Sequence, residues 1–183
     1  MPILTIIAGP NGSGKSTATR HVYIEGRERL LDPDAVARDL MPSDPAAAAI
    51  SAGRAVLRRI EQYLSHQVSF AVETTLSSRN NVELMRRARL CAYHVRLIFV
   101  ALDSPERNIQ RVRDRVAKGG HFVPDEDVRR RYARSMANLK SALEVADETE
   151  VYDNSVNGHE LVLMARAGQI VWCADNLPHW VNL

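Results

Sequence analysis

The run GPNGSGKST, from Gly9 to Thr17, carries residue types and a spacing suited to holding phosphate, and Gly9, Gly14, Lys15 and Ser16 fit the pattern GxxxxGKS. Gly9, Gly12 and Gly14 open backbone conformations closed to most side chains, so that successive amide N–H groups can converge on an anion. Lys15 would reach the β and γ phosphates, and the Ser16 hydroxyl would ligate Mg²⁺. The candidate nucleotide-binding segment is therefore Gly9, Pro10, Asn11, Gly12, Ser13, Gly14, Lys15, Ser16 and Thr17, with ATP and Mg²⁺ as the expected ligands. The bland alternative, a glycine-rich turn with a chance lysine, is opposed by what flanks it. Ile3 to Ala8 reads as a buried strand, and a helix is expected behind the loop from Ser16 to Tyr23.

Carboxylates come next. Arg29, Leu30 and Leu31 read as a short strand that runs into Asp32, Pro33 and Asp34. Strand ends beside a phosphate loop are where open α/β sheets bind ligands, so Asp34 is a candidate catalytic group; it is equally a candidate cap for a helix over Ala35 to Leu40. A second apolar strand, Val68 to Val72, ends in Glu73, Thr74 and Thr75, and a charge at the end of a buried strand requires a reason. The most apolar run, His94 to Leu102, reads as a central parallel strand; Asp103 at its end fits either a Walker B carboxylate or a residue that finishes the strand and helps cap the next helix.

The elements that must position these groups alternate strand and helix. Asp44 and Pro45 start a helix to about His66, with Ile50, Val56, Leu57, Ile60 and Leu64 on one side. Asn80 to Cys91 is helical with a basic, solvated face. Behind Ser104, a helix carries Arg107, Arg111 and Arg115 at spacings of four; Lys118 to Pro124 forms a turn, and a second helix from Asp125 to about Ala146 carries Arg129, Arg130, Arg131 and Arg134. Two arginine-rich helices joined by a glycine hinge, about 104–146, fit a lid that closes over phosphates, or else a pair of exposed helices paired with Asp114, Glu126 and Asp127. Thr149 to Asp153 reads as a last parallel strand, and Leu161 to Ala165 with Gln169 to Cys173 as a β-hairpin at the sheet edge. The expected fold is α/β: a single three-layer P-loop domain over 1–183, of nucleotide-kinase type, with a mainly parallel sheet, an arginine-rich helical lid and a C-terminal hairpin.

Composition bounds the function. A chain of 183 residues can bury a sizeable core, and a net charge of +2 demands neither a nucleic-acid nor a membrane partner. Cys91 and Cys173 form no disulfide framework or metal quartet and are expected to be buried bystanders in a reduced, cytoplasmic protein. No apolar run approaches the roughly 20 residues of a membrane span, and the amino terminus leads straight into the first strand. Neither an LSGGQ-like stretch nor an NKxD-type guanine-reading stretch is present, which leaves a small-molecule kinase as the expected arrangement.

In sequence order GPNGSGKST, DPD, ETT, GGHFVP, RYARSMANL and VYDNS resemble the zeta-toxin-like P-loop kinases, in particular their short stand-alone members, over Ile3 to Ser155. The resemblance implies ATP-dependent phosphorylation of a small molecule, in characterised zeta toxins UDP-N-acetylglucosamine, and an antitoxin protein as partner. By position it implies that Asp34 is the general base, that Glu73, Thr74 and Thr75 hold the substrate, and that Lys15 with Arg111, Arg115 or Arg131 neutralises charge in transfer. Glu73 could instead organise Mg²⁺ through water. The chain departs from the toxins in being shorter and in placing His121, taken as substrate-binding, near a toxin arginine. Two readings compete with a kinase: a regulatory ATPase or nucleotide switch acting through a protein partner, and, less well supported, a nucleic-acid surface on the arginine helices, against which the interleaved acids speak.

Overall fold

The computed structural model describes residues 1–156 and 158–182. Its strands are β1 (Ile3–Ala8), β2 (Leu30–Leu31), β3 (Phe70–Thr74), β4 (His94–Ala101), β5 (Glu148–Asp153), β6 (Glu160–Arg166) and β7 (Gln169–Cys173). They form one sheet in the order β2-β3-β1-β4-β5-β6-β7. The pairs from β2 through β5 are parallel; β5–β6 and β6–β7 are antiparallel, the edge hairpin expected from the sequence. The phosphate-loop strand β1 thus lies between β3 and β4 in the middle of the parallel section, and the carboxyl ends of β1, β2, β3, β4 and β5 open along one edge.

Helices α1 (Lys15–Ala18), α2 (Pro33–Leu40), α3 (Pro45–His66), α4 (Arg79–Leu90), α5 (Pro105–Ala117) and α6 (Asp125–Val145) fill the connections. Alternation along the strands sorts the core into two faces. Leu4, Ile6, Phe70, Val72, Val95, Leu97 and Phe99 face a thick layer built from Val56, Ile60 and Leu64 of α3, Val82 and Met85 of α4, and Leu139 and Leu143 of α6. Ile7, Ala71, Ile98 and Val100 face a thin layer of Ala18, Val22 and Ile24. A separate cluster joins Ile109 and Val112 of α5 to Val123 and to Val128 of α6, so this arginine-rich pair is organised around its own small apolar centre.

Several local expectations are corrected. The helix behind the phosphate loop stops at Ala18 and continues only as a 3-10 turn over Thr19–His21. Competing local bonds end it: Thr19 Oγ1 donates back to the Lys15 carbonyl, and the Arg27 guanidinium donates to the carbonyls of Thr19 and Val22. Asp32, not Asp34, caps α2, accepting from the Asp34 amide at 2.9 Å with Pro33 in the first helical position. Ile50 and Leu57 lie on the solvent side of α3, 73% and 59% exposed, while Val56, Ile60 and Leu64 are buried. Cys91 and Cys173 are exposed rather than buried. Ser104 caps α5, and Asp103, for which the sequence left two roles open, pairs with Arg107 of that helix at 2.9 Å.

Candidate functional site

At the end of β1 the chain enters the phosphate loop through Gly9, at φ +141°, where a Cβ would stand 2.0 Å from the Val100 carbonyl of the neighbouring strand; only glycine permits that approach. The loop ends at Gly14, at φ +94°, which opens α1 without a side-chain cap. Three of the loop carbonyls are held by side chains from distant elements. Asn108 of α5 donates to the Asn11 carbonyl at 2.6 Å, and Asn154, just past β5, donates to the Ser13 carbonyl at 2.8 Å. His159 places Nε2 3.0 Å from the Gly14 carbonyl. These three ties fix the carbonyls of Asn11, Ser13 and Gly14, while the Ser13 amide closes a turn on the Pro10 carbonyl at 3.2 Å; a glycine-rich loop held in this way at a helix start is a scaffold suited to an anion-binding nest.

Lys15 is 8% exposed, and its ammonium donates to the carbonyls of Gly9 at 2.9 Å and Pro10 at 3.2 Å. Burial pushes its pKa below 10.5, opposed by the carboxylates of Glu73, Asp32 and Asp34. Ser16 Oγ donates towards Glu73 at the end of β3, 3.3 and 3.4 Å from its two carboxylate oxygens. Burial pushes the Glu73 carboxyl above 4.5, opposed first by Lys15. Burial is thus the leading influence on both groups, each opposed by the charge of the other.

Two cavities meet here. One, of about 240 Å³, is lined by Gly12, Gly14, Lys15, Ser16, Thr17, Glu73, Arg111 and Arg115. The other, of about 290 Å³, runs from Asn11, Gly12 and Lys15 to Asp32 and Asp34 on one side, and to Glu73, Thr74, Thr75 and Ser77 on the other, with Arg115 and Arg131 closing it. Gly12, Lys15, Glu73 and Arg115 form the shared wall. His121 lies outside both and lines a third hollow of about 540 Å³, together with Asp34, Phe122 and Arg131.

The arginines differ in how they are held. Arg131 donates to Asn11 Oδ1 at 3.3 Å, Arg115 to the His121 carbonyl at 2.9 Å, and Arg111 to the Asn154 carbonyl at 2.7 Å. Arg111 therefore reaches the phosphate side only, while Arg115 reaches both cavities. Ser77, Asn108 and His159 did not stand out in the sequence. Asn154 was visible only as a residue following the last parallel strand, a position that lies near ligands in such sheets.

The donor set suits a hard divalent cation: one hydroxyl and one carboxylate face each other, and Mg²⁺ takes few protein ligands beside water and phosphate oxygens. Among the described residues no group of three or more His, Cys, Asp or Glu side chains stands ready to hold a metal by itself. No helix among them is long and apolar enough to cross a membrane.

A phosphate loop between two parallel strands, with acidic residues at the neighbouring strand ends and arginines above, defines a P-loop kinase-like α/β domain. A family model described as AAA domain (AAA_33) matches residues 4–139, and the chain belongs to that family. An uncharacterized protein of Haemophilus influenzae (strain Rd) is 32% identical over 124 residues, covering 68% of this chain and 88% of its own. Among solved structures, a chain of the AvrRxo1-ORF1:-ORF2 complex with ATP matches 93% of this chain at a TM-score of 0.70 and 15% identity; this chain spans only 60% of that one. A chain of the PezAT chromosomal toxin-antitoxin system of Streptococcus pneumoniae matches 92% of this chain and 75% of its own, at a TM-score of 0.62 and 15% identity. At such identities the likeness is one of fold.

Proposed function

We propose that the protein is an ATP- and Mg²⁺-dependent phosphotransferase that moves the γ-phosphoryl group to a hydroxyl of a small metabolite. The observation that carries this reading is the shared wall: a phosphate cavity and a second, acid-lined cleft adjoin across Lys15, Glu73 and Arg115. A nucleotide switch needs the first; only a transferase needs the second beside it.

In this reading the loop amides and Lys15 bind the triphosphate, Lys15 exchanging its contacts with the carbonyls of Gly9 and Pro10 for phosphate oxygens. The acceptor occupies the cleft between Asp34 and the Glu73–Ser77 turn. Asp34 takes the proton of the acceptor hydroxyl as its oxygen attacks the γ phosphorus; the bond from that phosphorus to the β–γ bridging oxygen breaks, and ADP leaves. Arg115 and Arg131 stabilise the charge on the transferring group, and Arg111 lies on the nucleotide side. Mg²⁺, held by Ser16 with Glu73 through water, would supply charge neutralisation at the β and γ oxygens. Glu73, Thr74 and Thr75 hold the acceptor on the remaining side, with His121 bordering the outer hollow. The segment from α5 through the start of α6, with its own apolar centre, acts as the lid of a single domain.

The zeta-toxin-like motif order supports a UDP-activated amino sugar as the acceptor to try first. A cytoplasmic location accords with ATP use, and an antitoxin-like partner accords with the PezAT neighbour being part of a toxin-antitoxin system. The deciding experiment is mass spectrometry of a protein-free metabolite extract incubated with ATP, Mg²⁺ and either the native chain or Asp34→Asn. A phosphorylated product formed by the native chain and lost in the variant supports the kinase reading. ADP release with no such product replaces it with a regulatory ATPase.

A further inference from the structure

Directly after Glu73 the chain makes a turn that no glycine or proline prepares. Leu76 sits at φ +56°, in the left-handed region that a Cβ disfavours. Three contacts hold it there. Its side chain is fully buried in the main core, its amide donates to Thr74 Oγ1 at 3.1 Å, and its carbonyl accepts from Asn138 Nδ2 at 2.8 Å. With Leu76 turned inward, its two neighbours come together on the other side: Thr75 Oγ1 and Ser77 Oγ are 2.8 Å apart, and both line the cleft opposite Asp34.

The third contact comes from a helix with a second attachment. Asn138 lies seven residues after Arg131 on α6, two turns further along the same face, and Arg131 is bonded to Asn11 of the phosphate loop. Between them on that face Ser135 is fully buried. One rigid helix thus spans from the nucleotide loop to the strained turn. Backbone strain that three independent contacts maintain, beside a cleft, points to a position that the site requires.

We propose that Asn138 is a positioning residue: it holds the Leu76 turn so that Ser77, paired with Thr75, presents a fixed hydroxyl couple to a polar, hydroxyl-bearing acceptor. The couple offers a donor and free lone pairs in a set direction, suited to a hydroxyl next to the one that reacts. Ser77 touches the acceptor; Asn138 acts through the turn. The inference rests on the kinase reading above and adds the residue that orients the acceptor and the residue that orients the turn.

The test uses Asn138→Asp, which keeps the shape and loses the donor, with Asn138→Ala and Ser77→Ala alongside. Product formation is followed by mass spectrometry at saturating ATP, with serial dilutions of a protein-free metabolite extract as the acceptor source. The half-saturating extract concentration is expected to rise roughly five- to tenfold, as for loss of one neutral hydrogen bond, in all three variants. Half-saturation by ATP should stay at the native value in all three variants, whereas a fall of a few degrees in melting temperature and faster amide exchange at Leu76 and Ser77 should appear in both Asn138 variants and not in Ser77→Ala. An unchanged extract requirement, or an equal shift for ATP, overturns the role of Asn138. A native chain that forms no product at any dilution overturns the kinase reading instead.

Discussion

The hydroxyl of Ser16 faces both carboxylate oxygens of Glu73, at 3.3 and 3.4 Å, across 57 residues of sequence. The contact joins the start of α1 to the end of β3, the strand hydrogen-bonded beside β1, and it makes one unit of the hydroxyl and the carboxylate that the sequence offered separately. If that unit holds Mg²⁺, Ser16→Ala should raise the Mg²⁺ concentration for half-maximal ATP turnover by about tenfold, with ATP itself saturating. A magnesium titration at fixed ATP decides it; an unchanged midpoint removes Ser16 from the metal site.

Glu73 also sets a pH dependence. Burial favours its protonated form in the folded state, raising its pKa above 4.5, so its contribution to stability is complete below pH 4.5 and is lost as pH rises through the raised folded value. Glu73→Gln removes that loss. The melting temperature of the variant, relative to the native chain, should therefore be higher at pH 8 than at pH 4, as measured by thermal unfolding across that range.

Asp32 and Asp34 should separate cleanly. Asp32 accepts the Asp34 amide as the cap of α2, so Asp32→Ala should lower unfolding free energy by about 1 kcal/mol in urea titration and leave phosphoryl transfer largely intact. Asp34→Asn should do the reverse, with near-native stability and ATP affinity but transfer reduced by roughly a hundredfold or more. Transfer at the native rate in Asp34→Asn would leave Asp34 as an ordinary second residue of a helix.

Asn154 should act on the nucleotide alone. Its amide holds the Ser13 carbonyl away from the loop interior, and Asn154→Ala frees that carbonyl to turn inward against phosphate. Calorimetry should show ATP affinity reduced by about tenfold, the cost of one misdirected buried group, with AMP affinity little changed.

Arg115 lines both cavities, whereas Arg111 lines only the phosphate side. Arg115→Ala should lower the transfer rate on the order of a hundredfold while ATP affinity falls much less, the pattern for a group that acts on charge in transfer. Arg111→Ala should shift ATP affinity more than rate.

The frame of the fold was legible because its signals are local. β1 and β4 announce themselves by apolar runs, α3 by Asp44 and Pro45, and the edge hairpin by its turn. Helical periodicity does not say how wide the buried stripe is: Ile50 and Leu57 share the apolar pattern of α3, but its packing face stops at Val56, Ile60 and Leu64. Asp32 and Asp34 flank Pro33 alike in composition, and the proline in the first helical position decides the cap in favour of Asp32. In the candidate site, the glycine–lysine loop was readable from spacing alone. Asn108 and His159 were not, since each is brought to the site by the sheet order rather than by any neighbour in sequence, and Ser77 was not, since the Leu76 turn that aims it carries no glycine or proline to announce it.

The ties that shape the phosphate loop span 97 residues from Asn11 to Asn108, 141 from Ser13 to Asn154 and 145 from Gly14 to His159. A loop whose form is fixed from so far along the chain has no fragment version. A peptide of the glycine-rich segment keeps the consensus and loses all three carbonyl ties, and a domain cut before β5 keeps the tie from Asn108 and loses those from Asn154 and His159, because ring closures of that size form only with the assembled sheet. Competence to grip phosphate is thereby linked to completion of folding, and an unfinished chain carries the signature of the site without its shape.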